Sequence, residues 1–277
     1  MGAMPAYICE TCGVQQAPAA APPSICVICT DERQYVGSKG QRWTTLAEMQ
    51  GSYRTEVREL EPDLLQLTTQ PSFGIGQRAL VVRTADGNLL WDCLSYLDPT
   101  TAKCLSDWGG LAAIAVSHPH FYASCAEWSH TFGDVPIYLS SRDRQFLLRP
   151  SSAVVHFDGD QVEPWPGLRV LRLGGHFPGS TVLHWAAGAG GRGVLLTGDT
   201  IAVAADRRWT TFMHSYPNRI PLPAEEVRAI AARVTALTFD RIYGGFPDAN
   251  IASDARGAVL RSAARYVGML DGSWPRG

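Results

Sequence analysis

The chain has 277 residues, of which 45% are hydrophobic and 18% charged, and its formal net charge is −2. That is apolar material enough for one large cored domain or two modest ones, and it excludes a disordered tail and a basic nucleic-acid binder. Glycine at 27 and proline at 18 with no repeat period exclude collagen-like and low-complexity chains, and no apolar run approaches the roughly 20 residues that span a bilayer.

No basic stretch followed by an apolar one opens the chain, so neither a secretory leader nor a membrane partner is expected, and the cytoplasm is the expected compartment. Met1-Gly2-Ala3 ahead of Met4 reads as an appended remnant. The first motif is made of cysteine. Cys9-Glu10-Thr11-Cys12 and Cys26-Val27-Ile28-Cys29 are two C-x2-C pairs separated by 13 residues. Each pair turns two thiolates toward one point, and two pairs complete a tetrahedral sulfur shell for zinc. The Ala- and Pro-rich stretch between them, Gly13 to Ile25, has no core of its own, so a metal has to hold it together. Residues 4–40 are therefore expected as a zinc-ribbon-like module. Four sulfur ligands leave no open position, so its role is structural, or one of protein docking or self-association. Cys93, Cys104 and Cys125 are isolated and read as free thiols in a reducing compartment, the first two as small buried hydrophobes.

Residues 41–277 read as a second, larger domain. Asp31 to Gln50 is a linker that ends in a short helix around Trp43 to Met49. Strands are expected at Leu64–Thr69, Ala79–Arg83 and Leu89–Trp91, with a hairpin turn at Ala85-Asp86-Gly87. A helix near Thr100–Trp108 precedes the apolar run Leu111–Val116, which reads as a buried strand. It ends in Ser117-His118-Pro119-His120. A helix over Tyr122–Thr131, a strand at Pro136–Leu139 and a short helix near Arg142–Leu147 follow. The second half repeats the rhythm, with strands at Val154–Phe157 and Arg169–Leu173, a glycine-rich turn around His176, and strands Thr181–Trp185 and Val194–Leu196. After Thr197-Gly198-Asp199-Thr200 come a helix over Pro223–Leu237, a strand at Asp240–Tyr243 and a last helix over Ser253–Leu270. The pattern is α/β, two packed sheets with helices outside.

Polar residues at the C-terminal ends of buried strands are where such sheets build sites. Here those ends carry His118 and His120, then His176, then Asp199. On an extended segment the two imidazoles of H-x-H point to one side. Three histidines around a divalent cation leave a position for water, the arrangement of a catalytic zinc.

These residues carry a resemblance. Leu89-Leu90-Trp91-Asp92, Ser117-His118-Pro119-His120-Phe121-Tyr122-Ala123, Gly175-His176-Phe177-Pro178-Gly179-Ser180 and Thr197-Gly198-Asp199 together resemble the metallo-β-lactamase superfamily. The Gly-His-x-Pro-Gly-Ser turn is the most specific match. The resemblance implies a four-layer αββα sandwich with a metal site at one edge, and a metal-dependent hydrolase. It also shows departures. The family's H-x-H-x-D-H motif has Tyr122 at its Asp and Ala123 at its last His, and the late strand's ligand position holds Phe246. His118, His120, His176 and Asp199 thus complete a first metal site, while the second keeps only Asp199. A phenol with its usual pKa of about 10 is a poor divalent ligand at neutral pH.

The expected function is hydrolysis of an ester, thioester, lactone or amide of a small molecule at a mononuclear zinc. Asp199 would orient the water or take its proton, Tyr122 would hydrogen-bond an oxyanion, and His214 would touch substrate. Two alternatives stay open. One is an iron oxidoreductase of the persulfide dioxygenase type using His118, His176 and Asp199; the other is a non-catalytic metal-binding adaptor.

Overall fold

The computed structural model describes residues 4–275, so the Met1-Gly2-Ala3 remnant lies outside the described residues. The chain divides into two compact units at Phe157/Asp158.

The first unit opens with the cysteine segment. Strand β1 (Ala6–Cys9) pairs antiparallel with β2 (Gln15–Pro18) and with β3 (Trp43–Thr44). A single turn, α1 (Leu46–Met49), follows, capped by the Thr45 hydroxyl accepting from the Glu48 N–H at 3.3 Å. Next come β4 (Arg54–Glu61), β5 (Leu64–Gln70), β6 (Arg78–Thr84), β7 (Gly87–Trp91), α2 (Pro99–Asp107), β8 (Ala113–Ala115), α3 (Cys125–Thr131), β9 (Ile137–Ser140) and β10 (Val154–Phe157). They form one seven-stranded sheet in the order β10-β9-β8-β7-β6-β5-β4. Neighbours from β4 to β7 are antiparallel hairpins; the turn expected at Ala85-Asp86-Gly87 is there, with Gly87 already paired to Thr84 as the first residue of β7. From β7 to β10 they are parallel, with α2 and α3 as crossovers.

The second unit carries a six-stranded sheet. Its strands are β11 (Gln161–Trp165), β12 (Leu168–Arg172), β13 (Thr181–Trp185) and β14 (Val194–Leu196), with the short helical turn α4 (Gly188–Gly191) between the last two. Two small hairpins follow, β15 (Ala202–Val203) with β16 (Thr210–Thr211), and β17 (Met213–Ser215) with β18 (Ile220–Pro221). Helix α5 (Ala224–Thr235) crosses over to β19 (Arg241–Tyr243), which runs parallel to β14; β20 (Asn250–Ile251) and α6 (Ala255–Asp271) complete the unit. The apolar faces of α5 and α6 bury Val227, Ile230, Val234, Val259 and Ala263 against Val182, Leu195 and Ile242 of the sheet. Gly193, at a φ of +83°, has no room for a Cβ, which would run into the Thr238 carbonyl.

Several elements depart from the sequence reading. The charged run Arg54–Glu61 is a full strand at the sheet edge, where alternating charge blocks pairing with another chain. Strand β11 also lies at an edge, which accommodates its Pro164. The helix expected from Tyr122 starts only at Cys125, because Ala123 sits at a φ of +45°. Cys104 is exposed rather than buried, since Thr101 and Leu105 form the inward stripe of α2. Among the described residues no helix is long and apolar enough to cross a membrane.

Candidate metal centre

Among the described residues two groups of His, Cys, Asp or Glu side chains could hold a metal ion, and both are the ones the sequence singles out. In the first, the sulfurs of Cys9, Cys12, Cys26 and Cys29 all lie within 4.8 Å of one another. Cys9 and Cys29 are 3.6 Å apart, and Cys12 and Cys26 are 3.7 Å apart. A tetrahedron with Zn–S of 2.3 Å has an edge of about 3.8 Å, so the cluster matches a single zinc-sized ion. The first knuckle is closed by Gly13 N–H donating to the Cys9 carbonyl at 2.8 Å. The Gln41 amide donates to the Cys9 sulfur at 3.0 Å, and its oxygen accepts from the Cys26 N–H at 3.2 Å, the outer-shell support a thiolate ligand needs. Hydrogen bonds from the other three cysteines hold the Cys9 thiol well below its ordinary value, while burial drives Cys12 well above its own. Four sulfurs so close become thiolates together only around a cation. The cluster packs with Val14 and Ile28, and Trp43, Phe146 and Leu148 cover it.

In the second group, the ligand atoms of His118, His120, His176 and Asp199 all lie within 4.8 Å of one another, and all four residues are buried. His118 and His120 follow β8, His176 follows β12, and Asp199 follows β14. The H-x-H segment is not extended throughout. His118 is (φ −166°, ψ 169°), but Pro119 fixes a helical φ and starts a 3-10 turn over Pro119–Phe121. The turn brings the two imidazoles to 5.1 Å between ring centres, edge to face.

The turn around His176 is closed by Ser180. Its hydroxyl accepts from the Phe177 N–H at 2.8 Å, and its carbonyl accepts from the N–H groups of Leu173 and Gly174 at 2.9 and 3.0 Å. Gly175 lets this turn pass against α5, where a Cβ would meet Ile230 and Leu222 at 2.9 Å. Asp199 is reached by the turn after β14, whose Thr197 hydroxyl donates to the Ile201 carbonyl at 2.7 Å.

The residues fit a bound divalent ion. Three imidazoles and a carboxylate are a zinc-type donor set. His176 Nδ1 lies 3.1 Å from the Met213 carbonyl, so it carries the proton and leaves Nε2 for an ion. His118 Nδ1 lies 2.9 Å from the Ser117 hydroxyl, which leaves its Nε2 in the same role. The Ser117 N–H donates to Asp92 Oδ1 at 2.8 Å. Asp92 thus holds the backbone of Ser117, whose hydroxyl meets the His118 imidazole behind the site. In the sequence Asp92 stands only at the end of the matching strand Leu89-Leu90-Trp91-Asp92, and an acid closing a buried apolar run is the signal for it. The Tyr216 hydroxyl donates to the Asp199 carbonyl at 2.8 Å, a contact that nothing in the sequence marks.

Burial raises the Asp92 carboxyl to about 7, against lowering by the Ser117 hydrogen bonds and by Arg78. A folded pKa above the unfolded one means extra stability below about pH 4, lost as pH rises through about 7. With the histidine site metal-free, urea unfolding should show wild type losing a few kcal/mol relative to Asp92→Asn between those limits. A constant difference across that range would remove the assignment.

The remaining candidates lie as follows. Tyr122 is buried, and burial with Asp143 and Cys125 nearby raises its phenol well above the usual value, so at neutral pH it is a hydrogen-bond donor and not a phenolate ligand. His214 is half-buried in β17, beside the Met213 whose carbonyl meets His176. The side chain of Phe246 brings no donor atom to a metal.

No family model matches the chain. The uncharacterized protein YmaE of Bacillus subtilis (strain 168) is 47% identical over 270 residues, which cover 97% of this chain and 98% of YmaE. The chain belongs to the YmaE family. Among solved structures, this YmaE-family chain is similar to the FIM-1 metallo-β-lactamase of Pseudomonas aeruginosa in its mono-zinc form, with a TM-score of 0.55 and 16% identity over 80% of this chain and 97% of that one. It is similar also to a metallo-β-lactamase from Hirschia baltica, with a TM-score of 0.54 and 18% identity over 77% and 97% of the two chains. A subclass B3 enzyme from a soil metagenome, MEM-A1, matches at 0.53 and 19%, over 79% and 95%. The YmaE-family chain therefore has the metallo-β-lactamase fold, with a four-cysteine cluster near its N-terminus.

Proposed function

We propose that the chain is a metal-dependent hydrolase with a single zinc at the histidine site, acting on an ester, thioester, lactone or amide of a small molecule. The observation that carries this reading is the buried group of three imidazoles and one carboxylate, with Nδ1 of His118 and of His176 already engaged. The mono-zinc form described for the FIM-1 neighbour is consistent with it. A bound zinc supplies a water of near-neutral pKa and polarises the substrate carbonyl. His118, His120 and His176 would hold the ion through imidazole nitrogens. The Asp199 carboxylate orients the water and takes its proton. Tyr122 and His214 are the proposed donors to the substrate oxygen. A zinc in the four-cysteine cluster is proposed as structural.

Element-resolved metal content on protein purified without added metal tests this. Two zinc ions per chain are expected, with hydrolysis of one member of an ester, thioester, lactone and amide panel. Equal rates for wild type and His118→Ala would sink the hydrolase reading. Iron at the histidine site with oxygen uptake on a persulfide would replace it by the dioxygenase. His214→Ala should lower kcat/KM about tenfold with metal content unchanged.

A further inference from the structure

The cysteine cluster and the His118–His120 loop are joined by short, direct connections inside the first unit. Three residues after Cys12, the Gln15 N–H donates to the Ala123 carbonyl at 3.0 Å. One residue after Cys12, the Gly13 carbonyl accepts from the Ser95 hydroxyl at 2.7 Å. Ser95 is tied back to the loop, because its own carbonyl accepts from the Ser124 hydroxyl at 2.9 Å. It also lies three residues after Asp92, which holds the Ser117 N–H. Both ends of the histidine segment are therefore braced. Ser117 is held through Asp92, and Ala123 and Ser124 through Gln15 and Ser95. The fit is close, since a Cβ on Gly13 would meet the Ser95 hydroxyl oxygen at 2.5 Å.

The brace holds a conformation the loop does not favour by itself. Ala123 sits at a φ of +45°, a region an alanine rarely adopts without outside support. Its carbonyl finds that support in the Gln15 N–H. Pro119 and the left-handed Ala123 together make the turn that aims His120.

We infer that the four-cysteine module is a positioning element for the histidine loop, so that an ion in the cysteine cluster raises the affinity of the histidine site for its own ion. The inference rests on the metal-site reading above. By linkage the coupling is reciprocal, and an ion at the histidine site tightens the cluster by the same factor. Ser95 is the positioning residue that joins the two without being a ligand in either.

The test uses the full chain with zinc kept in the cysteine cluster and the histidine site emptied by a mild chelator. Cobalt(II) is then titrated, and its visible d–d absorption reads the dissociation constant at the histidine site. Ser95→Ala removes the bond to the Gly13 carbonyl and leaves all eight ligand side chains in place. Its constant for cobalt should rise about tenfold, with cluster zinc and Tm unchanged. An affinity within twofold of wild type overturns the coupling. A second measurement stands apart from cobalt. With the histidine site already empty, amide hydrogen exchange over Ser117–Ser124 should quicken at least tenfold when a strong chelator then empties the cluster, and equal exchange overturns the brace. Wild type that takes up no cobalt would overturn the metal-site reading, while the exchange arm would still decide whether the module holds the loop.

Discussion

Protein carrying His120→Ala is expected to bind one metal ion fewer per chain and to lose hydrolysis by at least about a thousandfold. The size follows from what the side chain does. His120 is buried in a 3-10 turn and is one of four donors within 4.8 Å. Its removal leaves two imidazoles and a carboxylate, a set with weaker affinity and wrong geometry for a tetrahedral ion. Under the proposed mechanism, loss of the ion would remove both the activated water and the polarised carbonyl, several kcal/mol of transition-state stabilisation together. The measurement is element analysis beside kcat/KM on whichever panel substrate the wild type turns over. Retained metal with retained rate would show that hydrolysis occurs elsewhere on the chain.

Cys26→Ser should be the most destabilising single change in the first unit. Cys26 is fully buried, 3.7 Å from Cys12, and its N–H is held by Gln41. A serine oxygen is a poor ligand for an ion chosen by thiolates, and three buried sulfurs are left without their cation. Structural zinc in small four-ligand modules supplies on the order of 10 kcal/mol of folding free energy. Part of that is retained here by the packing of Val14, Ile28, Trp43, Phe146 and Leu148. The expected result is loss of the cluster ion and a Tm lower by about 10 °C. Circular dichroism melting with and without a chelator checks it, since a chelator should lower the wild-type Tm by more than that of the variant, which has only the histidine-site ion left to lose.

Much of this was legible in the sequence, for reasons that differ by element. The cysteine pairs were readable because ligand spacing is local. So were Val154–Phe157, Thr181–Trp185 and Val194–Leu196, whose bounds match to the residue. The last two are short runs rich in apolar and β-branched residues and buried throughout. Strand β4 was missed because its eight residues include five charges, a composition that reads as loop unless the edge position is known. Strand β11 was missed because proline argues against a strand, a rule that holds only for interior positions. At the site, the four ligands were found because histidines at strand ends are conspicuous. Asp92, Ser117 and Tyr216 were not, because their roles rest on contacts to residues 17 to 25 positions away. The left-handed Ala123 was also hidden. Nothing in an alanine announces a positive φ; the cause is the N–H of Gln15, more than a hundred residues earlier.

The distribution of thiols turns the chain into its own clock. Of the seven cysteines, six are buried and Cys104 alone faces solvent, on the outer side of α2. A maleimide added to the folded chain therefore marks one sulfur at once. The other six acquire the label only as fast as their surroundings open, and each site's lag is a readout of how often that part of the chain breathes. Cys93 and Cys125 report on the packed sheet behind the histidine loop, while Cys9, Cys12, Cys26 and Cys29 report on release of an ion. A single reagent and a mass spectrometer would thus separate loosening of the fold from emptying of the cluster.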